Sequence, residues 1–364
     1  MLKRFSDILE IKNGRNQKAV ENPAGKYPIY GSGGIMGYAD DFICGADTVI
    51  IGRKGNINNP IYVEEPFWNV DTAFGLVANQ DFLNPRYLYY FCKSFDFQKL
   101  NTTVTIPSLT KENLLKIQME VPELDQQNSA VVNLQKTERL IDLYQQELRA
   151  LDTLIKARFV EMFGTEKDVE KWPSCAVGDV ADVCVGVVIK PTQYYTSNGI
   201  PAFRSLNVGE MTVKDENWIY FSEEGHQKNQ KSVIRENDVL VVRSGAPGKA
   251  CVANKKYAGY NAVDIIIAHP KEVVNPTFLA MFTNMPHGMN QIREKTGGAA
   301  QQHFNVGGYK KLKLILPPLE LQNDFAAFVS EVDKSKFYEE ACAVLARYTD
   351  NNRQEWMICQ TLRS

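Results

Sequence analysis

Arginine set among glycine, asparagine, serine and threonine in short polar stretches is the most chemically informative feature of this 364-residue chain. One stretch is Arg53-Lys54-Gly55-Asn56, and a second is Asn101-Thr102-Thr103-Val104-Thr105, ahead of Ile106-Pro107-Ser108. Three more follow: Arg204-Ser205-Leu206-Asn207, Arg243-Ser244-Gly245-Ala246-Pro247-Gly248-Lys249, and Thr296-Gly297-Gly298-Ala299-Ala300-Gln301-Gln302-His303. Arg can fork onto O6 and N7 of guanine, and Asn or Gln can pair with N6 and N7 of adenine. Lys, Ser, Thr and amides exposed at glycine suit phosphate oxygens. The candidate DNA contacts are therefore Arg53, Lys54, Asn56, Thr103, Thr105, Arg204, Ser205, Asn207, Arg243, Ser244, Lys249, Gln301, Gln302 and His303. Taken singly, each stretch reads equally well as a solvated surface loop. Comparable loops at matching places in two halves of the chain strengthen the DNA reading.

Motifs for catalysis are missing from the sequence. It has no P-loop and no H-E-x-x-H. Gly31-Ser32-Gly33-Gly34 lacks the G-x-G-x-x-G spacing and reads as a tight turn. Asn59-Pro60-Ile61-Tyr62 shares the outline of the Asn-Pro-Pro-aromatic motif of amino-methyltransferases, but Ile61 breaks it and no S-adenosylmethionine loop accompanies it. The histidines are scattered, and no pair sits at metal-ligand spacing, so neither a metal nor a cofactor is expected on this chain. The seven cysteines form no C-x-x-C pair, and Met1-Leu2-Lys3-Arg4 starts no apolar leader, which predicts free thiols in a cytoplasmic protein. No run approaches the ~18 apolar residues of a membrane helix. A net charge of −2 argues against a uniformly basic coat but leaves room for local basic faces.

The elements that must position these loops come in two copies. Leu109 to Asn128 matches Phe304 to Asn323 without a gap, including Pro122-Glu123-Leu124-Asp125-Gln126-Gln127-Asn128 against Pro317-Pro318-Leu319-Glu320-Leu321-Gln322-Asn323. Asp47 to Gly55 matches Asp238 to Gly245, Asn84-Pro85 matches Asn275-Pro276, and Asp7-Ile8 matches Asp179-Val180. Thr48-Val49-Ile50-Ile51 and Val239-Leu240-Val241-Val242 have the β-branched character of buried strands. Asn84-Pro85 and Asn275-Pro276 predict an N-cap followed by proline in the first helical turn. Two modules on one chain suit a target that also has two halves.

From Asp125 to Phe163 there is neither Pro nor Gly, and Leu134, Ile141, Leu148, Ile155 and Met162 recur every seven residues. With Tyr144 and Leu151 on the second seam position, this predicts a long helix packed on another helix, ~58 Å long at ~1.5 Å per residue, with Gly164 as its C-cap. The expected seam is Leu134, Ile141, Leu148, Leu151 and Ile155. After Pro318 a second arm begins with Phe325, Phe328, Val329 and Val332, and its pattern degrades beyond Lys336.

In their order and their repetition, these features resemble the specificity subunit of type I restriction-modification systems. The residues that carry the resemblance are the Asp-rooted strand with its Arg (Asp47 to Gly55, Asp238 to Gly245) and the polar loops before Leu109 and Phe304. Added to them are Pro122, Leu124 and Gln127 with Pro317, Leu319 and Gln322, and the run Leu148 to Gly164. The resemblance implies an α+β fold: two β-rich target-recognition domains in pseudo-two-fold tandem, separated by long helices packing as an antiparallel coiled coil. The divisions would be residues 1–123 and 165–318 for the recognition domains, 124–164 for the central spacer helix and 319–364 for the C-terminal one. It further implies a non-catalytic subunit that reads a bipartite double-stranded DNA target. That subunit would recruit modification (methyltransferase) subunits, which carry S-adenosylmethionine, and restriction (translocase/nuclease) subunits. A tandem protein-binding adaptor with a coiled-coil oligomerisation arm is the alternative from another class; it would bind without the steep salt dependence of phosphate contacts.

Overall fold

The computed structural model describes residues 1–101, 106–296 and 303–336. One compact unit is built on Met1–Gln146 and the other on Glu147–Glu339. The first contains β1 (Leu2–Arg4), α1 (Phe5–Ile8), β2 (Leu9–Asn13), β3 (Tyr27–Gly31), β4 (Gly34–Ala39), β5 (Thr48–Gly52) and β6 (Ile61–Val63). It continues with β7 (Trp68–Asn69), β8 (Ala73–Ala78), α2 (Pro85–Ser94), α3 (Lys111–Leu115), β9 (Gln118–Glu120) and the start of α4 (Leu124–Phe163). The second unit runs through β10 (Ser174–Ala176), α5 (Val177–Val180), β11 (Ala181–Val185), β12 (Tyr195–Thr196), β13 (Ile200–Phe203), β14 (Ile219–Phe221) and α6 (Glu223–Lys228). After these come β15 (Val239–Val242), β16 (Ala250–Val252), β17 (Asn261–Ala262), β18 (Ile265–Pro270), α7 (Pro276–Asn284), α8 (Pro286–Thr296), α9 (Val306–Lys310) and β19 (Lys313–Ile315). A last helix, α10, is described over residues 319–336.

The chain is α+β, with two β-rich domains in tandem, and their sheets correspond strand for strand. The order β2-β8-β5-β6 in the first is β11-β18-β15-β16 in the second, antiparallel throughout. A smaller sheet β4-β3-β7 corresponds to β14-β13-β17, which carries β12 as an extra edge strand. In both, the last pairing (β3 with β7, β13 with β17) is parallel. The β-branched runs are the inner strands, buried on both faces. Val49 and Ile51 point into one core and Ile50 into another; Val239 and Val241 likewise part company with Leu240 and Val242. That is the period of two expected of a strand covered on both sides.

The two Asn-Pro helices start as the sequence predicts. The Asn84 side chain accepts the N–H groups of Arg86 and Tyr87, and Asn275 accepts those of Thr277 and Phe278. What the sequence does not show is the joint around them. The Asn84 N–H donates to Oε1 of buried Gln127 at 2.8 Å, and Asn84 Nδ2 donates to Asn128 at 2.7 Å. The Asn275 N–H donates to Gln322 at 2.8 Å and its Nδ2 to Asn323 at 2.9 Å. Each glutamine also donates back to the proline carbonyl five residues before it, Pro122 or Pro317. The Pro-x-Leu-x-x-Gln-Asn run is therefore a clamp between a module and the helix that leaves it.

Helix α4 is continuous over Leu124–Phe163. Gly164 ends it with φ +89° and an N–H donated to the Val160 carbonyl, as a C-cap should. The heptad positions serve different partners along its length. Val131 and Leu134 are buried in the core of the first unit. Ile155, Phe159 and Phe163 are buried in the core of the second unit, with Leu151 partly buried beside them. There α10 runs antiparallel to α4. The Phe325 ring lies 5.4 Å from Phe159 and 5.7 Å from Phe163, while Lys336 Nζ reaches Asp152 at 2.8 Å. Ile141 and Leu148 are half-buried. Residues 337–364, where the sequence pattern degrades, lie outside the described residues.

Candidate nucleic-acid interface

In the first unit, four segments converge where β5 ends. The Arg53 N–H donates to the Thr72 carbonyl at 2.7 Å, and the Arg53 carbonyl accepts from Leu109 at 2.9 Å. Lys54 bridges to Ser108, and the N–H of Gly55 (φ +78°) donates to Pro107. The Arg53–Asn56 turn is thus stitched to the segment that leads into α3. Gly52 must be glycine, because a Cβ there would lie 2.0 Å from the Asn56 carbonyl oxygen. The same Cβ would lie 3.0 Å from the Ser32 side chain, so the Gly31–Gly34 turn belongs to this corner. Arg53, Lys54 and Asn56 are exposed. The Arg53 guanidinium reaches the Asp71 carbonyl at 3.4 Å and sits 5.8 Å from the Phe74 ring centre.

The second unit repeats the backbone and changes the side chains. The Arg243 carbonyl accepts from Phe304 at 2.9 Å, and Ser244 bridges to His303, matching the Leu109 and Ser108 connections. Gly248 (φ +98°) closes the turn between β15 and β16, with Lys249 exposed beside it. Arg243 Nη1 pairs with Asp264 Oδ1 at 2.8 Å, and Ser244 Oγ donates to Asp264 Oδ2 at 2.9 Å. His303 Nδ1 lies 2.8 Å from the same Oγ. The carboxylate is on the serine and not on the imidazole, so this is no relay that would activate a nucleophile. It is a tether: one aspartate, itself at φ +50°, fixes an arginine and a serine at the rim of the sheet. Arg243 Nε is buried without a hydrogen-bond partner among the described residues.

Arg204 follows β13, whose Phe203 carbonyl accepts from Val263, so it arrives at the Asp264 end of the sheet. It is half-buried, with Nη2 donated to the Asn217 carbonyl at 2.8 Å, and Ser205 beside it is half-buried as well. Asn207 is the exception among the candidates. It is fully buried, accepts from the Arg204 N–H, and donates to the Lys214 and Glu216 carbonyls. Its amide shapes the loop from within and presents nothing outward. Thr103, Thr105, Gln301 and Gln302 lie outside the described residues.

The structure therefore gathers Arg53, Lys54 and Asn56 at one corner of the first unit, and Arg204, Arg243, Ser244 and His303 at the matching corner of the second. Sequence reasoning missed Asp71, whose backbone carbonyl meets Arg53, and Asp264, whose carboxylate pairs with Arg243. The available signal was Asn69-Val70-Asp71 against Asn261-Ala262-Val263-Asp264, each just before a buried strand. No helix among the described residues is long and apolar enough to cross a membrane.

Comparison with known proteins agrees with this duplicated layout. The family model for the type I restriction modification DNA specificity domain matches residues 1–153 and again residues 169–341. A Haemophilus influenzae protein named as a type I restriction enzyme specificity subunit is 23% identical over 364 residues, covering 91% of this chain and 86% of that one. The EcoBI specificity subunit of Escherichia coli is 19% identical over 318 residues, covering 79% and 66%. Among solved structures, the S subunit of a type I restriction-modification system from M. genitalium has TM-score 0.60 at 13% identity, covering 98% and 95%. A chain from a structure of type I R-M complex assembly has TM-score 0.54 at 16% identity, covering 98% and 97%.

Proposed function

The chain belongs to the type I restriction-modification DNA specificity family, and on that premise we propose that it reads a bipartite double-stranded DNA target, one half per module, and catalyses nothing itself. The observation that carries this reading is the matched pair of arginine corners. In each module the residue after the central strand is an arginine, its carbonyl holds the segment leading into α3 or α9, and an aspartate stands beside it. Such a corner presents a fixed guanidinium with backbone amides and hydroxyls around it, which is a set of donors for base edges and phosphates.

Residues 1–123 and 165–318 then do the reading, while the segments 124–164 and 319–364 set the spacing; modification subunits dock on the helices and modules, and restriction subunits bind outside those. S-adenosylmethionine belongs on the modification subunit. One module makes few base contacts, worth ~1–3 kcal/mol per good bidentate pair. Two joined modules act through effective concentration, so both half-sites must match for tight binding.

The test is the methylation pattern in cells that carry this chain with its modification partner, together with duplex binding by the purified complex across salt concentrations. A two-part methylated sequence and an affinity that falls steeply with salt are expected. Salt-insensitive binding, or calorimetric binding of S-adenosylmethionine to this chain alone, would overturn the reading.

A further inference from the structure

Three side chains on one face of the second unit form a row that DNA reading does not use. Asp238 immediately precedes β15, His269 lies on β18 and Cys184 lies on β11. Asp182 is the cross-strand partner of His269, so Cys184, two residues further on, sits diagonally from His269 on the same face. The Asp238 side chain is 2% exposed, and its Oδ1 lies 2.5 Å from His269 Nδ1, while its Oδ2 accepts the Arg235 N–H. His269 Nε2 lies 3.7 Å from Cys184 Sγ, and that sulfur is also 3.4 Å from the Lys231 carbonyl oxygen. A carboxylate on one ring nitrogen and a thiol on the other is the order in which a proton can leave sulfur for a held imidazole. The bond to Asp238, and after it the contact with Cys184, raise the pKa of His269 to about 9 against the effect of burial. Asp182 on β11 and Lys271, just past the end of β18, lie 3.8 Å apart. The matching positions of the first unit are Lys12, Val77 and Thr48, which cannot form such a row.

We propose that Cys184 is a reactive thiol and a covalent modification site for low-molecular-weight disulfides and soft electrophiles, with protonated His269 as the counter-ion of its thiolate and Asp238 as the residue that positions His269. In exchange with a disulfide, the Cys184 thiolate beside the protonated His269 attacks, and its sulfur bonds to one sulfur of the reagent. The reagent's S–S bond breaks, and the departing thiolate takes the proton from the imidazolium. The products are a mixed disulfide and one free thiol, with no other oxidant consumed.

The other described cysteines supply internal controls. Cys44, Cys92 and Cys251 are buried, and burial pushes their thiols up, Cys44 and Cys251 to about 12. Cys175 is partly exposed, and burial raises it too. The experiment is time-resolved labelling of the full-length chain with iodoacetamide and, separately, with oxidised glutathione, read by peptide mass mapping at each cysteine. At pH 7, Cys184 should react at least about tenfold faster than Cys175, and His269→Gln should remove that advantage. If His269→Gln fails to fold, the unmodified chain decides through its pH profile. Between pH 8 and pH 6 the Cys175 rate should fall roughly a hundredfold, and the Cys184 rate by less than about tenfold. Equal rates at the two cysteines, parallel pH profiles, or a folded His269→Gln chain with undiminished Cys184 labelling would each overturn the proposal.

Discussion

Arg53 and Arg243 occupy the same place in two copies of one fold, yet they are held differently. Arg53 is exposed and leans on a carbonyl and over an aromatic ring. Arg243 is only 21% exposed and is paired with a carboxylate that also holds Ser244. The backbone that delivers them is the same: a buried strand, a glycine-bearing turn and a bridge to the segment before a short helix. The scaffold sets where each arginine stands, while the side chains around it set how firmly it stands and how much of its charge stays free.

Four measurements separate the two units. The largest effect should come where the units differ most in support. Phe159, fully buried among Phe163, Phe278 and Phe325, belongs to the second unit alone. Phe159→Ala should cost about 3–5 kcal/mol and destabilise the second unit first. Hydrogen exchange resolved by peptide checks this, and equal loss of protection in both units would show that they fold as one.

Next, the clamps should behave alike. Gln127→Ala strips a partner from the Asn84 N–H and from the Phe82 and Pro122 carbonyls, and Gln322→Ala from the Asn275 N–H and the Pro317 carbonyl, so each should cost about 1–3 kcal/mol in chemical denaturation. A clear inequality would mean that the geometric match hides different surroundings.

The arginines should separate the half-sites. Arg53→Ala should weaken binding to one half-sequence and Arg243→Ala to the other, each by about ten- to a hundredfold. Binding to duplexes altered in one half at a time reads this out, and equal loss at both halves would contradict separate modules.

The smallest effect concerns a pair present only in the second unit. The pKa of His269 is raised when folded, so the Asp238–His269 pair gives its full stability below the ordinary histidine value of about 6.5. That contribution is lost as pH rises through about 9. The denaturation midpoint of the second unit should therefore drift down from pH 7 to pH 10, and the drift should vanish in His269→Gln.

Local features were the ones legible in the sequence. The inner strands, both Asn-Pro helix starts, the long helix and its Gly164 cap follow from a few neighbouring residues each. The heptad was legible as a helix, but not as to its partners, because Leu134 and Ile155 look alike in sequence and enter different cores. Pairings made by sheet registry were out of reach: Arg243 and Asp264 are 21 residues apart, and Ser244 and His303 are 59 apart. Composition also misled at Asn207, since an amide that could read adenine is the same amide that ties a loop to its own carbonyls. The strand β12 is an addition of the second module to the shared frame.

The Asn–Gln–Asn clamp has a consequence for exchange between chains. A coupling made of three side chains, repeated with the same 2.8 Å bond to each glutamine, works as a standard fitting. A foreign module bearing Asn-Pro ahead of its helix and Pro-x-Leu-x-x-Gln-Asn behind it would meet the same donors and acceptors. Chimaeras spliced within that run should melt close to the parent chain, whereas splices that split the asparagine from its glutamine should not. The interchangeable part of this protein is the module, and the thread that makes it interchangeable is cut into the chain twice.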